Sequence, residues 1–236
     1  METGHTAILE PQISAVTGRR RRDLVELSIG YALILVVIWT PRPWQKLPYF
    51  IAAAFIVTIL WKSFAGWKAM GFRAANSVRS SWLVGGALLA SAVAVIIASR
   101  LHTLHTPASP ILFIYHYRGY IIFAFVQQFL LQDFFLPRTL RQTRSPGSAA
   151  LAAAAIFSLA HLPNPILSVI TFIWGFAACL FFLHYRNLYT LAIAHAILGI
   201  TLAITVPGPV IHNMRVGLGY LTYSPHRTDL FDHRNH

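Results

Sequence analysis

Residues 123–138 read FAFVQQFLLQDFFLPR, an apolar run broken by Gln127, Gln128, Gln132 and Asp133. Residues 156–161 (IFSLAH) and 191–195 (LAIAH) each carry an apolar run onto an imidazole, His161 and His195. Amides and imidazoles at bilayer depth are costly unless they meet one another. The three segments are therefore expected to converge on one polar pocket. On a helix, residues four apart share a face, so Gln128 and Gln132 stack, with Gln127 about 100° round from Gln128. By the same rule Phe157 walls one side of His161, and Gly199 leaves a gap one turn after His195. Asp133 lies about 140° from Gln128 on a regular helix, so it is expected to face elsewhere, toward Arg138 or Arg141.

The rest of the chain agrees with bilayer burial. Of 236 residues, 56% are hydrophobic and only 11% charged, and the mean hydropathy is +0.58. These values lie outside the soluble class and predict an all-α, polytopic membrane helix bundle whose first partner is the lipid bilayer. The formal net charge is +12. Its basic residues fall between apolar runs, where they act as topology signals and contacts to anionic lipid. No basic stripe interleaves with aromatics as single-strand binding requires, so nucleic acid is not an expected partner. The single cysteine, Cys179, allows neither an internal disulfide nor a thiolate metal cluster.

Seven apolar runs, 24–40, 47–61, 82–99, 120–136, 149–162, 166–185 and 188–206, predict about seven transmembrane helices. Pro137 is expected to stop the fourth, and Pro163 with Pro165 the fifth. The chain then divides into a mobile basic N-terminus (1–23), N-terminal transmembrane helices and loops (24–119), a core (120–206) and a polar C-terminal tail (207–236). Trp44, Tyr49, Trp61 and Trp67 stand where interfacial aromatics anchor a span. Gly85, Gly86, Ala90 and Ser91 form a small-residue face suited to close helix contact. Most of the 19 lysines and arginines fall on the N-terminal side of the membrane, which predicts a cytoplasmic N-terminus, an external C-terminus and residence in the cell inner (plasma) membrane. Tyr115, His116, Tyr117 and Arg118 read as the interfacial entrance to the fourth span, and His184, Arg186 and Asn187 as a solvated helix end. The tail is expected to cap the bundle, with His212 and Arg215 as the side chains that would otherwise reach the pocket. His102 and His105 have no carboxylate or cysteine nearby, and His161 with His195 alone make a poor ligand set, so no metal or other cofactor is expected.

An adjacent polar pair on one span, F-x-x-x-H on the next and H-x-x-x on the last resembles the CAAX-protease and bacteriocin-processing family of intramembrane proteases, the Abi family. The likeness covers 120–205, and its specific part runs from AIFSLAH through FIWGFAACLFFLHYRNLYTLAIAH. The resemblance implies an all-helical bundle with its core in the last four spans. It also implies a site in which a glutamate activates water with help from the F-x-x-x-H histidine, while the last histidine and an asparagine stabilise the oxyanion. The family's E-E-x-x-x-R falls here on Gln127, Gln128 and Gln132, its two histidines on His161 and His195, and its asparagine on Gly199.

A neutral amide has no useful proton affinity, so Gln127 cannot serve as the family's general base. Loss of the asparagine removes an oxyanion donor, worth about 3 to 4 kcal/mol in comparable sites. The three glutamines are nevertheless mutually consistent, since a neutral hydrogen-bonding set needs no buried counter-ion. Gln127, Gln128, Gln132, His161 and His195 are the candidate catalytic residues. Three functions compete. One is an atypical hydrolase of a peptide or membrane-protein substrate, prenylated or secreted, with His161 as base, His195 as electrophilic donor and the glutamines orienting water or the carbonyl. Another is a catalytically silent relative that binds a peptide or confers bacteriocin immunity. The third is a small transporter subunit lined by the midspan polar residues, against which the lack of an internal repeat counts.

Overall fold

The computed structural model of the chain describes residues 3–107 and 109–224. Every regular element among them is helical. Four helices are long and apolar enough to cross a membrane: α3 (Trp82–Arg100), α4 (Pro110–Gln142), α6 (Pro165–Tyr185) and α7 (Leu188–Thr205). The chain is an integral membrane protein. The three remaining apolar runs lie on α1 (Thr3–Trp39), on α2 (Lys46–Lys62, 17 residues) and on α5 (Pro146–Leu159, 14 residues). Helix α1 continues through 3–23, where the sequence suggested a mobile terminus.

The helix starts are written in the local sequence. Ser109, Ser145, Asn164 and Asn187 cap α4, α5, α6 and α7, each side-chain oxygen accepting from the backbone N–H three residues on. Proline follows the cap in the first three, where its missing N–H costs nothing and its fixed φ suits the first turn.

Pro137 does not stop α4, contrary to the expectation from sequence. Residues Leu130–Phe135 form a π-helical segment, and the Leu136 N–H bonds to the Leu131 carbonyl five residues back. This wider turn loosens the ladder where the proline ring would otherwise clash, so the helix carries on to Gln142. At its other end α4 begins at Pro110, so Tyr115–Arg118 already lie on the helix.

Helices α5 and α6 pack closely, as do α3 with α7 and α4 with α7. Small residues allow the first contact: Ala149, Ala150, Ala153 and Ala154 are fully buried, and a Cβ at Gly175 would stand 3.5 Å from the Ala154 Cα. The small face expected on α3 meets a neighbour at its Ala90–Ser91 end. Gly85 and Gly86 are exposed with open space beside them, and α3 meets α7 through a 2.7 Å hydrogen bond from Thr201 Oγ1 to Ser91 Oγ.

Asn187 is likewise no solvated helix end. It is fully buried, and its Nδ2 donates toward Arg73 O, Asn76 Oδ1, Ser77 Oγ and Ser80 Oγ at 2.9–3.2 Å, which ties the 73–80 turn to α7. Asn187→Ala removes both this hub and the cap of α7, and is expected to cost about 2 kcal/mol. Thermal unfolding in detergent measures it; an unchanged Tm would show that the hub is dispensable.

Candidate functional site

The three polar segments meet. Helix α4 brings Gln127, Gln128 and Gln132, the turn after α5 brings His161, and α7 brings His195. Gln128 Nε2 donates to His195 Nδ1 at 2.9 Å, and Gln132 Nε2 donates to Gln128 Oε1 at 3.2 Å. Gln127 Nε2 stands 3.4 Å from His161 Nε2, a long and weak contact. Gln128 and Gln132 have no exposed surface, and His195 is 6% exposed. Phe157 stands against both imidazoles, its ring centroid 4.9 Å from that of His161 and 6.4 Å from that of His195.

These bonds set the tautomers. His161 Nδ1 lies 2.8 Å from the Phe157 carbonyl, which can only accept, so Nδ1 carries the proton and Nε2 keeps a lone pair. His195 is the reverse. Its Nδ1 accepts from Gln128, so its Nε2 carries the proton and is a donor. The site therefore pairs one free imidazole lone pair with one imidazole N–H donor, and none of its five members is ionic in this arrangement. Among the described residues no group of three His, Cys, Asp or Glu side chains gathers to hold a metal ion.

His195 opens onto a cavity of about 290 Å³ that also reaches Tyr120, Trp174, Gly199 and Met214. The gap beside Gly199 is filled from α4, because a Cβ added there would fall on the Tyr120 hydroxyl and ring. The Tyr120 ring stands edge-on to His195 with centroids 6.5 Å apart. Gly199→Ala is expected to destabilise the fold by about 1–3 kcal/mol through overpacking. An unaltered Tm in that variant would show that Tyr120 moves aside freely.

Tyr120 and Trp174 were not singled out from sequence. A signal for the first existed, since Tyr120 lies eight residues before Gln128 and so shares its face. The described part of the tail, 207–224, packs on the bundle: Asn164 Nδ2 donates to the Ile211 and Arg215 carbonyls, and the Gly217 N–H donates to Leu162 O. Met214, rather than His212 or Arg215, lines the cavity; His212 stacks on Tyr220 at 4.0 Å. Asp133 is buried on the π segment and pairs with neither arginine suggested for it. Arg138 binds Glu26 and Arg141 binds Asp23, both on α1.

Residues 111–201 match the family model described as type II CAAX prenyl endopeptidase Rce1-like. The matched region, similar to CAAX-type intramembrane proteases, contains all five candidate residues. No curated protein and no solved structure matches the chain.

Proposed function

We propose that the chain is a CAAX-type intramembrane endopeptidase in which His161 acts as the base where the family pattern has a carboxylate. The observation that carries this reading is the His161 tautomer, with Nδ1–H held by the Phe157 carbonyl and the Nε2 lone pair turned toward Gln127. A water replacing the weak 3.4 Å contact would be oriented by the Gln127 amide and lose a proton to Nε2 as its oxygen attacks the scissile carbonyl carbon. The carbonyl oxygen becomes an oxyanion facing His195 Nε2–H, with the Tyr120 hydroxyl supplying a second donor from the place left by Gly199. Breakage of the C–N bond follows, and the His161 imidazolium returns its proton to the leaving amine. Ala90, Ile170, Trp174, Leu198 and Met214 give the cavity an apolar lining suited to a prenyl group or an apolar side chain. The arginine block 19–22 of α1, just before the apolar run from Leu24, favours a cytoplasmic N-terminus in the plasma membrane.

A peptide-binding protein that does not cleave is the second reading. One observation favours it: Gln128 donates to His195 and accepts from Gln132, a neutral set already satisfied without substrate. Purified protein in detergent, incubated with farnesylated C-terminal peptides and an unmodified peptide library and read by mass spectrometry, separates the two. Cleavage by the natural chain supports the endopeptidase. Cleavage only by Gln127→Glu would transfer the proposal to a binder on a protease scaffold, and silence from both would sink the endopeptidase reading.

A further inference from the structure

A second cavity, of about 610 Å³, lies away from the histidines at the other side of the π segment. Three chain segments end there, the C-termini of α2 and α4 and Arg186 just beyond α6, and the basic middle of α1 (Arg19, Arg22) passes beside them. Trp61 and Trp67, 82% and 65% exposed, flank it next to Lys62 and Lys68, as aromatics do at a membrane–water boundary. The opening is therefore at the level of lipid headgroups.

Its charges are uneven in a specific way. Six cations line it, Arg19, Arg22, Lys62, Arg138, Arg141 and Arg186, against three carboxylates. Glu26 is engaged by Arg22 and Arg138, and Asp23 by Arg141. Among the described residues that leaves Arg19, Lys62 and Arg186 outside any ion pair, and one carboxylate, Asp133, without a salt-bridge partner. Asp133 is 8% exposed, and its Oδ2 is buried with no hydrogen-bond donor. Arg186 is held at the rim by a bond to Ala69 O and by the Phe182 ring.

A phosphate alone would satisfy the three cations but would leave Asp133 without a donor. The C-termini of α2 and α4 also carry partial negative charge, which favours a cation on that side. A ligand with a phosphate outward and a hydrogen-bonding ammonium inward meets both demands. We propose that this cavity binds a phosphoethanolamine lipid headgroup, with its ammonium donating to Asp133 and its phosphate held by Arg19, Lys62 and Arg186. A trimethylammonium headgroup has no N–H to give Asp133 and is expected to bind at least tenfold more weakly.

The test is native mass spectrometry of the full chain released from detergent with phosphatidylethanolamine, phosphatidylcholine or phosphatidylglycerol, and with inorganic phosphate as competitor. Expected is retention of phosphatidylethanolamine over phosphatidylcholine by tenfold or more. Asp133→Asn should abolish that preference while leaving phosphatidylglycerol retention unchanged. Arg186→Gln, at the rim and outside the core, should weaken retention of phosphatidylethanolamine and phosphatidylglycerol alike. Equal retention of the ethanolamine and choline lipids would overturn the proposal, as would a preference for ethanolamine that survives Asp133→Asn. Displacement of the bound lipid by millimolar phosphate would assign the site to free anions and also overturn it.

Discussion

Replacing His161 with alanine is expected to lower peptide cleavage by about 10²- to 10⁴-fold, the range that a positioned general base supplies. The size follows from the lack of any substitute. Gln127, Gln128 and Gln132 are amides without basicity, and Asp133, the carboxylate nearest to them in sequence, opens onto the other cavity. The loss should appear in kcat with KM little changed, because the His161 lone pair acts on water and not on bound peptide. Tyr120→Phe is the companion variant. It keeps the ring against Gly199 but deletes the donor, and should lower kcat by about 10²-fold if the hydroxyl faces the oxyanion. Cleavage by the natural chain that persists at full rate in His161→Ala would remove the proposed base.

Glu26→Ala is expected to destabilise the protein by about 3–5 kcal/mol, the cost of leaving a buried charge without its partner. Arg138 is 2% exposed, and its guanidinium donates to Glu26 Oε2 at 2.9 and 3.3 Å and to Phe134 O at 2.8 Å. Removing the carboxylate strands that cation between α1 and α4. Exchanging both partners, Glu26→Met with Arg138→Met, should recover most of the loss, since an apolar pair needs no desolvation of ions. Thermal melting of the single and double variants in one detergent decides it. A single variant as stable as the parent would mean that water reaches Arg138 and α1 is held by other contacts.

The candidate site was largely legible in the sequence because the bilayer makes unpaired polar groups costly. Gln127, Gln128, Gln132, His161 and His195 had few places to go except toward each other, and they meet. What escaped was geometry that depends on long-range partners. Glu26 with Arg138, and Asn187 with the 73–80 turn, join residues more than a hundred positions apart, with no local pattern to announce them. Tyr120 was hidden for a different reason, because the gap at Gly199 is filled by a helix other than its own. Pro137 misled because proline inside a helical run reads as a stop, while the wider turn before it relieves the clash that would make it one.

That wider turn amounts to one extra residue in the winding of α4, and so it acts as a phase offset between the two halves of a single rod. Wound at uniform α pitch with every residue of 130–135 kept, the rod would swing everything beyond that segment by about 100°. Arg138 and Arg141 would then turn away from Glu26 and Asp23 while Gln127 and Gln128 kept their place. The π turn thus absorbs one residue where it falls and lets a single rod serve two differently aimed cavities.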